Sequence, residues 1–380
     1  MPPQPTDSPG TPDPVTPPFF LNEAVSDAAM TYFYAHLFAA EPEISAMFPA
    51  AMHVQRQRFY RTLCRIVAFF GEGAGERPAD NGDFVSYLES LGRAHRKFGA
   101  RKEHYASFRS ALRTTAERFA PGGGTDDWEA AFDRAAEIMI NAAEDDAAPA
   151  WWTAEVTGHQ LRTPQVAVLT LQPSQPFPFL PGQHLSVQTP RWPRLWRNYS
   201  VASAPRPDGS LTLHVRAIAG GLVSTTLVHH TRPGDTLLLG RPEGPMTVDT
   251  ESKRPVLCLA GGTGLAPLKA IAEAITATGE RREIVVYHGA RTASELYDLP
   301  ALRQMELDSP WLEVIPVTSQ EMAEGTRHGT IPDMAAHARW EDRDVYVSGP
   351  DPMIIETVAV LRALGVPSDR LHYDLPDEIA

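Results

Sequence analysis

The sequence predicts three domains in series: an all-α domain, a small antiparallel β-barrel and a doubly wound α/β domain. Three observations predict this. Apolar residues recur at three- and four-residue steps from Leu21 to about Asp146. Short β-type runs follow, separated by Pro and Gly turns. From Pro255 onward, strand and helix patterns alternate. A chain of 380 residues is long enough for two or three such cores.

Eight of the first 18 residues are proline, which lacks the helix donor, so residues 1–18 are expected to form a disordered tail. The helical domain is expected over 19–149. Leu21, Val25, Ala28, Tyr32 and Ala35 form a first stripe, and Pro42 suits the first turn of a new short helix. Phe59, Leu63, Ile66, Val67 and Phe70 repeat the stripe, as do Phe84, Leu88, Leu91, His95 and Phe98, and then Tyr105, Phe108, Leu112 and Phe119. Gly122–Gly124 break the chain before Trp128, Phe132, Ala136 and Met139. This reads as about five helices and no strand.

The barrel is expected over 150–252, with runs at Val166–Leu171, His184–Gln188, Asn198–Ala202, Leu211–Ala217 and Thr236–Leu239. The α/β domain is expected over 253–380. It has strands at Val256–Ala260, Ile284–His288, Leu312–Thr318 and Val345–Ser348, helices from about Leu265 and after Pro352, and a last strand near Leu371.

Lys and Arg number 34 against 47 Asp and Glu, a net charge of -13 with no basic half. Nucleic acid and anionic membranes are therefore poor partners. The two cysteines, Cys64 and Cys258, cannot build a disulfide framework or a four-cysteine zinc or iron-sulfur site. The first Lys or Arg is Arg56, and no stretch approaches the roughly 18 apolar residues of a membrane span. The expectation is a cytoplasmic monomer with no membrane span and no nucleic-acid partner.

Gly261-Gly262-Thr263-Gly264-Leu265-Ala266-Pro267 lies where a buried strand gives way to a helix. Glycines there let the backbone approach a pyrophosphate, and the helix N-terminus offers free N–H groups. Ser348-Gly349-Pro350 lies at the carboxyl end of a later strand of the same sheet. In the barrel, Arg197-Asn198-Tyr199-Ser200 combines a phosphate-pairing guanidinium, an aromatic ring and a hydroxyl on one strand, and Gly220-Gly221-Leu222-Val223-Ser224 follows.

These motifs make residues 153–374 similar to the ferredoxin-NADP reductase superfamily. The resemblance implies FAD on Arg197, Tyr199 and Ser200, with its phosphates at Gly221, Val223 and Ser224. It implies NAD(P)H on Gly262, Thr263, Gly264 and Pro267 and on Ser348, Gly349 and Pro350, with Ser348 where the family usually carries Cys. Arg291, after the second α/β strand, could meet a 2′-phosphate or merely solvent, which leaves NADH against NADPH open.

A flavin reduced by hydride can release electrons singly, so a one-electron acceptor is needed, and two cysteines cannot ligate an iron-sulfur cluster. The helical domain is the place to look. His95 lies in an apolar stripe, as an imidazole pointing at a buried haem must; a satisfied core histidine is the plainer alternative. Arg93, Arg96, Lys97, Arg101 and Lys102 surround it and suit either haem propionates or a solvated face.

Residues 30–146 resemble the globin part of the flavohaemoglobin family through Phe33-Tyr34, Phe38, Glu41-Pro42-Glu43, Phe48, Gln55-Arg56, His95, Tyr105, Trp128 and Asn141. The resemblance implies haem b with His95 as iron ligand, Phe48 packed on the haem, and Tyr34 and Gln55 on the distal side. It also implies that Tyr105 orients His95 and that Asp145, or the adjacent Glu144, acts on that proximal pair. Two departures stand out: the first globin helix falls where this chain is proline-rich, and Ala94 replaces the usual lysine before the histidine. The implied activity passes electrons from NAD(P)H through FAD to haem and dioxygenates NO with O2 to nitrate. Two alternatives stay open: a flavin reductase whose helical domain docks a separate acceptor, and an oxygen-binding or sensing globin with its own reductase.

Overall fold

The computed structural model describes residues 23–49, 51–71, 81–119 and 126–375; the proline-rich stretch, Leu21, Gly122–Gly124 and residues 376–380 lie outside them. The chain forms two compact units, Met1–Ala150 and Trp151–Ala380.

The first unit carries helices α1 (Glu23–Ala40), α2 (His53–Phe70), α3 (Asn81–His95), α4 (Lys102–Phe119) and α5 (Asp126–Glu144), with 3₁₀ turns at Pro42–Met47 and Arg96–Phe98. The helical stripes become its core. Met30, Phe33, Tyr34 and Leu37 of α1 meet Leu63 and Val67 of α2, Leu112 of α4 and Phe132 of α5. A second cluster joins Phe84 and Leu88 of α3 to Ile66 and to Ala131, Ala135 and Met139 of α5. Each large apolar side chain removed from water contributes about 1.5–3 kcal/mol. Helices α3 and α5 touch backbone to backbone at Gly92, where a Cβ would lie 2.6 Å from the Met139 Cα. Gly99, in the left-handed region at φ +81, ends the 3₁₀ turn after α3.

The second unit opens with β1 (Trp152–Thr163), β2 (Val166–Pro173), β3 (His184–Gln188), β4 (Arg197–Ser200), β5 (Leu211–Arg216) and β6 (Thr236–Glu243). They form an antiparallel sheet in the order β4-β3-β6-β1-β2-β5, and a bridge from Val201 to Leu213 joins its two ends into a barrel. Strand β1 was not anticipated from the sequence. Its apolar and polar residues alternate only over the six positions from Trp152 to Thr157, and register shifts at Val156/Gly158 and Leu161/Thr163 break the period. The Gly220–Ser224 segment is more than a turn, because helix α6 (Leu222–His229) starts within it.

The chain then builds a parallel sheet from β7 (Val256–Gly261), β8 (Ile284–Ala290), β9 (Leu312–Thr318), β10 (Arg327–His328), β11 (Asp344–Ser348) and β12 (Leu371–Tyr373), in the order β10-β9-β8-β7-β11-β12. Helices α7 (Leu265–Ala277), α8 (Leu299–Asp308), α9 (Ile331–His337) and α10 (Asp351–Ala363) connect the strands. Successive residues of β7 feed opposite faces: Val256, Cys258 and Ala260 pack with α7, while Leu257 and Leu259 pack with α9 and α10. Val166, Val168 and Met246 of the barrel region join the first of these cores. The predicted architecture of an all-α part, a β-barrel and a doubly wound α/β part is borne out. Among the described residues, no helix is long and apolar enough to cross a membrane.

Candidate active site

In the helical unit, Tyr34 is 3% exposed and its ring packs against Phe38, Phe48 and Phe59 at centroid distances of 5.7, 5.4 and 6.0 Å. Its hydroxyl is buried and has no hydrogen-bond partner among the described residues. Burial raises its pKa, partly offset by the facing Gln55 side chain and by Arg56; Gln55 is close but outside hydrogen-bond geometry. An orphaned hydroxyl among aromatic rings costs about 1–3 kcal/mol and suits a site whose occupant accepts its hydrogen bond. Tyr34, Phe48 and Gln55 are thus brought together, as the sequence suggested.

His95 is the last residue of α3, and its Nδ1 lies 3.4 Å from the Tyr105 hydroxyl of α4. Burial, with Lys97 nearby, lowers the imidazole pKa to about 4, which keeps it neutral and able to ligate. Burial pushes Tyr105 up to about 12. With Nδ1 occupied by Tyr105, Nε2 is the nitrogen left for a metal, and these residues fit a haem iron. A recess of about 270 Å³ beside the pair is lined by Gly92, Arg96, Ile140 and Glu144. Both carboxylates are exposed: Glu144 pairs with Lys102 at 3.5 Å and lines the recess, whereas Asp145 lies beyond the end of α5 and does not. The basic cluster is largely committed: Arg93 pairs with Glu89 at 3.1 Å, and Arg96 pairs with Asp146 at 2.6 Å while donating to the Ala148 carbonyl.

In the barrel, Arg197, Tyr199 and Ser200 lie along β4, opposite Val187, Leu185 and His184 of β3. Arg197 is exposed and half-buried Tyr199 has its pKa raised by burial. Gly220 adopts φ +75, and a Cβ on Gly221 would overlap the Ser224 Oγ, so this approach to α6 needs both glycines. Val223 and Ser224 are buried in the first turn of α6, whose Thr226 accepts a 3.0 Å bond from Trp192 in the segment leading to β4. A glycine turn opening a helix beside a strand that carries Arg and Tyr fits a flavin nucleotide.

Strand order reverses at β7, with β8 on one side and β11 on the other, and ligands bind at such a switch point. Gly262 has φ +54, and a Cβ on Gly264 would lie 2.5 Å from the Gly349 Cα. The two glycine motifs therefore line one crevice, with Thr263 and Ser348 half-buried beside it, Pro267 buried in α7 and Pro350 capping α10. This cradle fits a dinucleotide.

Sequence reasoning missed the His184–Asp374 pair at 3.1 Å, which returns the chain after β12 to the strand facing Ser200. No spacing signal joins residues so far apart. It also missed Gly92, whose signal was a small residue within a helical stripe, one turn before the histidine.

The globin family profile matches residues 31–142, the oxidoreductase FAD-binding domain profile residues 154–247 and the oxidoreductase NAD-binding domain profile residues 258–358. The chain is 26% identical to the flavohemoprotein of Bordetella pertussis over 92% of its own length and 93% of that protein. It is 32% identical to the xylene/toluene monooxygenase electron transfer component of Pseudomonas putida over 55% of its own length, and spans 61% of that relative. The flavohemoglobin of Malassezia yamatoensis, solved with bound FAD and heme, has the same fold with a TM-score of 0.74 at 18% identity, covering 91% of this chain and 93% of that one. With a globin domain followed by FAD-binding and NAD-binding oxidoreductase domains, and a flavohemoprotein relative along nearly its whole length, the chain belongs to the flavohaemoglobin family, whose cofactors are haem, FAD and NAD(P)H.

Proposed function

We propose that the chain is a nitric oxide dioxygenase that draws electrons from NAD(P)H and forms nitrate. When bound, the nicotinamide supplies hydride, the flavin divides it into single electrons and the haem iron brings dioxygen to nitric oxide. The chain's residues work around these groups. His95 holds the iron through Nε2, and Tyr105 fixes the ring orientation at Nδ1. Phe48 walls the pocket, Tyr34 aims its proton into it, and Gln55 adds a second polar group. Glu144 supplies the proximal carboxylate in preference to Asp145, because it lines the recess with His95 and Tyr105. Arg197 pairs a flavin phosphate, Tyr199 and Ser200 meet the ring, and Gly221, Val223 and Ser224 receive the pyrophosphate at α6. Gly262, Thr263, Gly264 and Pro267 take the dinucleotide phosphates, with Ser348, Gly349 and Pro350 beside the nicotinamide. The working divisions are 19–149, 150–252 and 253–380.

The observation that carries this reading is the buried, unpartnered Tyr34 hydroxyl facing Gln55. A donor held ready in an apolar pocket favours a ligand that gains negative charge, as dioxygen does when it accepts electron density. The test is NO consumption by the full chain loaded with haem and FAD, in air, with NADH or NADPH. Nitrate formed one for one with NO lost is the expected result. NO loss at the same rate with and without reduced nicotinamide would overturn the reading.

A further inference from the structure

Behind the dinucleotide crevice lies a buried polar cluster that no step above uses. His214 of β5, on the barrel side, has its Nδ1 2.8 Å from the Tyr297 hydroxyl, on the sheet side. Its Nε2 faces Asp298 at 3.9 Å without a hydrogen bond. Asp298 is 1% exposed, accepts a 2.7 Å bond from Lys269 of α7 and faces Arg162 of β1 at 3.7 Å. The Tyr297 ring stands edge-on to His288 of β8 at 5.7 Å. His288 is fully buried, with neither ring nitrogen hydrogen-bonded among the described residues, and it lies near the Gly262 backbone.

Apolar side chains would fill this joint at lower cost, since desolvated charges and orphaned nitrogens both oppose folding. What polar groups add is direction: a hydrogen bond fixes register, whereas an apolar contact can slide. The position of the cluster shows which register is fixed. His214 and Arg216 are two residues apart on β5 and so share a face. The Arg216 guanidinium lies 3.6 Å from where a Gly262 side chain would begin. One barrel strand is therefore held at His214 by Tyr297 and meets the dinucleotide turn at Arg216.

We propose that His214, Tyr297 and Asp298 are positioning residues for hydride transfer, locking β5 of the flavin-binding barrel in register against the Gly262–Gly264 turn and so setting the approach of nicotinamide to flavin. This inference uses only the FAD- and NAD-binding character of the second unit and is independent of what the haem does.

The test is anaerobic stopped-flow reduction of the flavin by NADH in the full, cofactor-loaded chain. Tyr297→Phe removes one hydroxyl and keeps the ring. The expected result is a limiting flavin-reduction rate about tenfold lower, because small misplacements of reacting groups carry large rate penalties, with FAD content and the NADH dissociation constant changed less than about twofold. The double variant His214→Leu/Tyr297→Phe removes both partners, which restores thermal stability lost in the single variant. A positioning role leaves its limiting rate low all the same. An unchanged limiting rate in Tyr297→Phe, or a rate that recovers together with stability in the double variant, would overturn the proposal.

Discussion

The Arg291 guanidinium is engaged on two of its nitrogens by the carboxylate of Glu295, four residues further along the chain. Arg291 stands just past β8, the strand that pairs with β7 at the switch point, where folds of this type receive the adenosine ribose. Arg291, and at longer range Arg216, hold the Glu295 carboxyl below its usual range. The Ala293 amide donates to a second carboxylate, Glu321. Arg291, a cation that could meet a 2′-phosphate, is thus already paired with a carboxylate. NADH is therefore expected to be used at least about tenfold more efficiently than NADPH, and Glu295→Gln should raise kcat/KM for NADPH several-fold. Steady-state dye reduction with both nucleotides measures it.

His95→Ala should abolish stable haem binding and the Soret band. NADH-dependent reduction of a soluble dye should continue at the wild-type rate, because the flavin and dinucleotide motifs lie in the other unit. A wild-type haem spectrum in the variant would remove His95 as ligand.

Tyr34→Phe removes a buried hydroxyl that has no partner among the described residues. A charge-assisted bond from such a hydroxyl is worth roughly 1.5–3 kcal/mol, so dioxygen should leave the reduced protein roughly ten to a hundred times faster, with flavin reduction unaltered. Equal dissociation rates by stopped flow would end the distal assignment.

Arg197→Ala should weaken FAD binding about tenfold, a modest loss for an exposed guanidinium, and leave the haem spectrum intact. Equilibrium dialysis of the apoflavoprotein reads it directly; unchanged affinity would show that the β4 arginine does not meet the phosphate.

Burial lowers the pKa of His214 to about 3 and of His288 to about 4, against an ordinary value of 6.5. Between those values the unfolded chain binds protons that the folded chain refuses, so stability is full above pH 6.5 and falls as pH drops toward 4. For His288 alone the loss is on the order of 3 kcal/mol. The unfolding midpoint of the reductase unit, followed by release of FAD fluorescence, should fall between pH 6.5 and 4.5. His288→Gln should flatten that slope.

Periodic burial made most of the fold legible. The helical stripe through Leu63, Ile66 and Val67 and the continuous apolar run of β7 both met the core they implied. Strand β1 escaped because its alternation, with Trp152, Ala154 and Val156 buried between exposed polar neighbours, lasts only six residues and gives way after Thr157 to a mostly polar, bulged run. At the site, the glycine motifs could be read because backbone approach demands glycine whatever surrounds it. The His214–Tyr297–Asp298 cluster could not. Each member is unremarkable in its own strand or turn, and only the packing of barrel on sheet brings His214 to Tyr297 and Asp298. Which of Glu144 and Asp145 lies within α5 likewise depends on where that helix stops, which a helical stripe marks poorly.

The backbone contact at Gly92 governs how His95 can move. His95 lies three helical steps beyond Gly92, a lever arm of about 4.5 Å, and α3 cannot slide over α5 where Gly92 rests on Met139. Motion of the imidazole is then a swing about that fulcrum, and a tilt of 10° carries the histidine Cα only about 0.8 Å. His95 sits on a short, stiff arm, and its compliance is set by a residue that has no side chain.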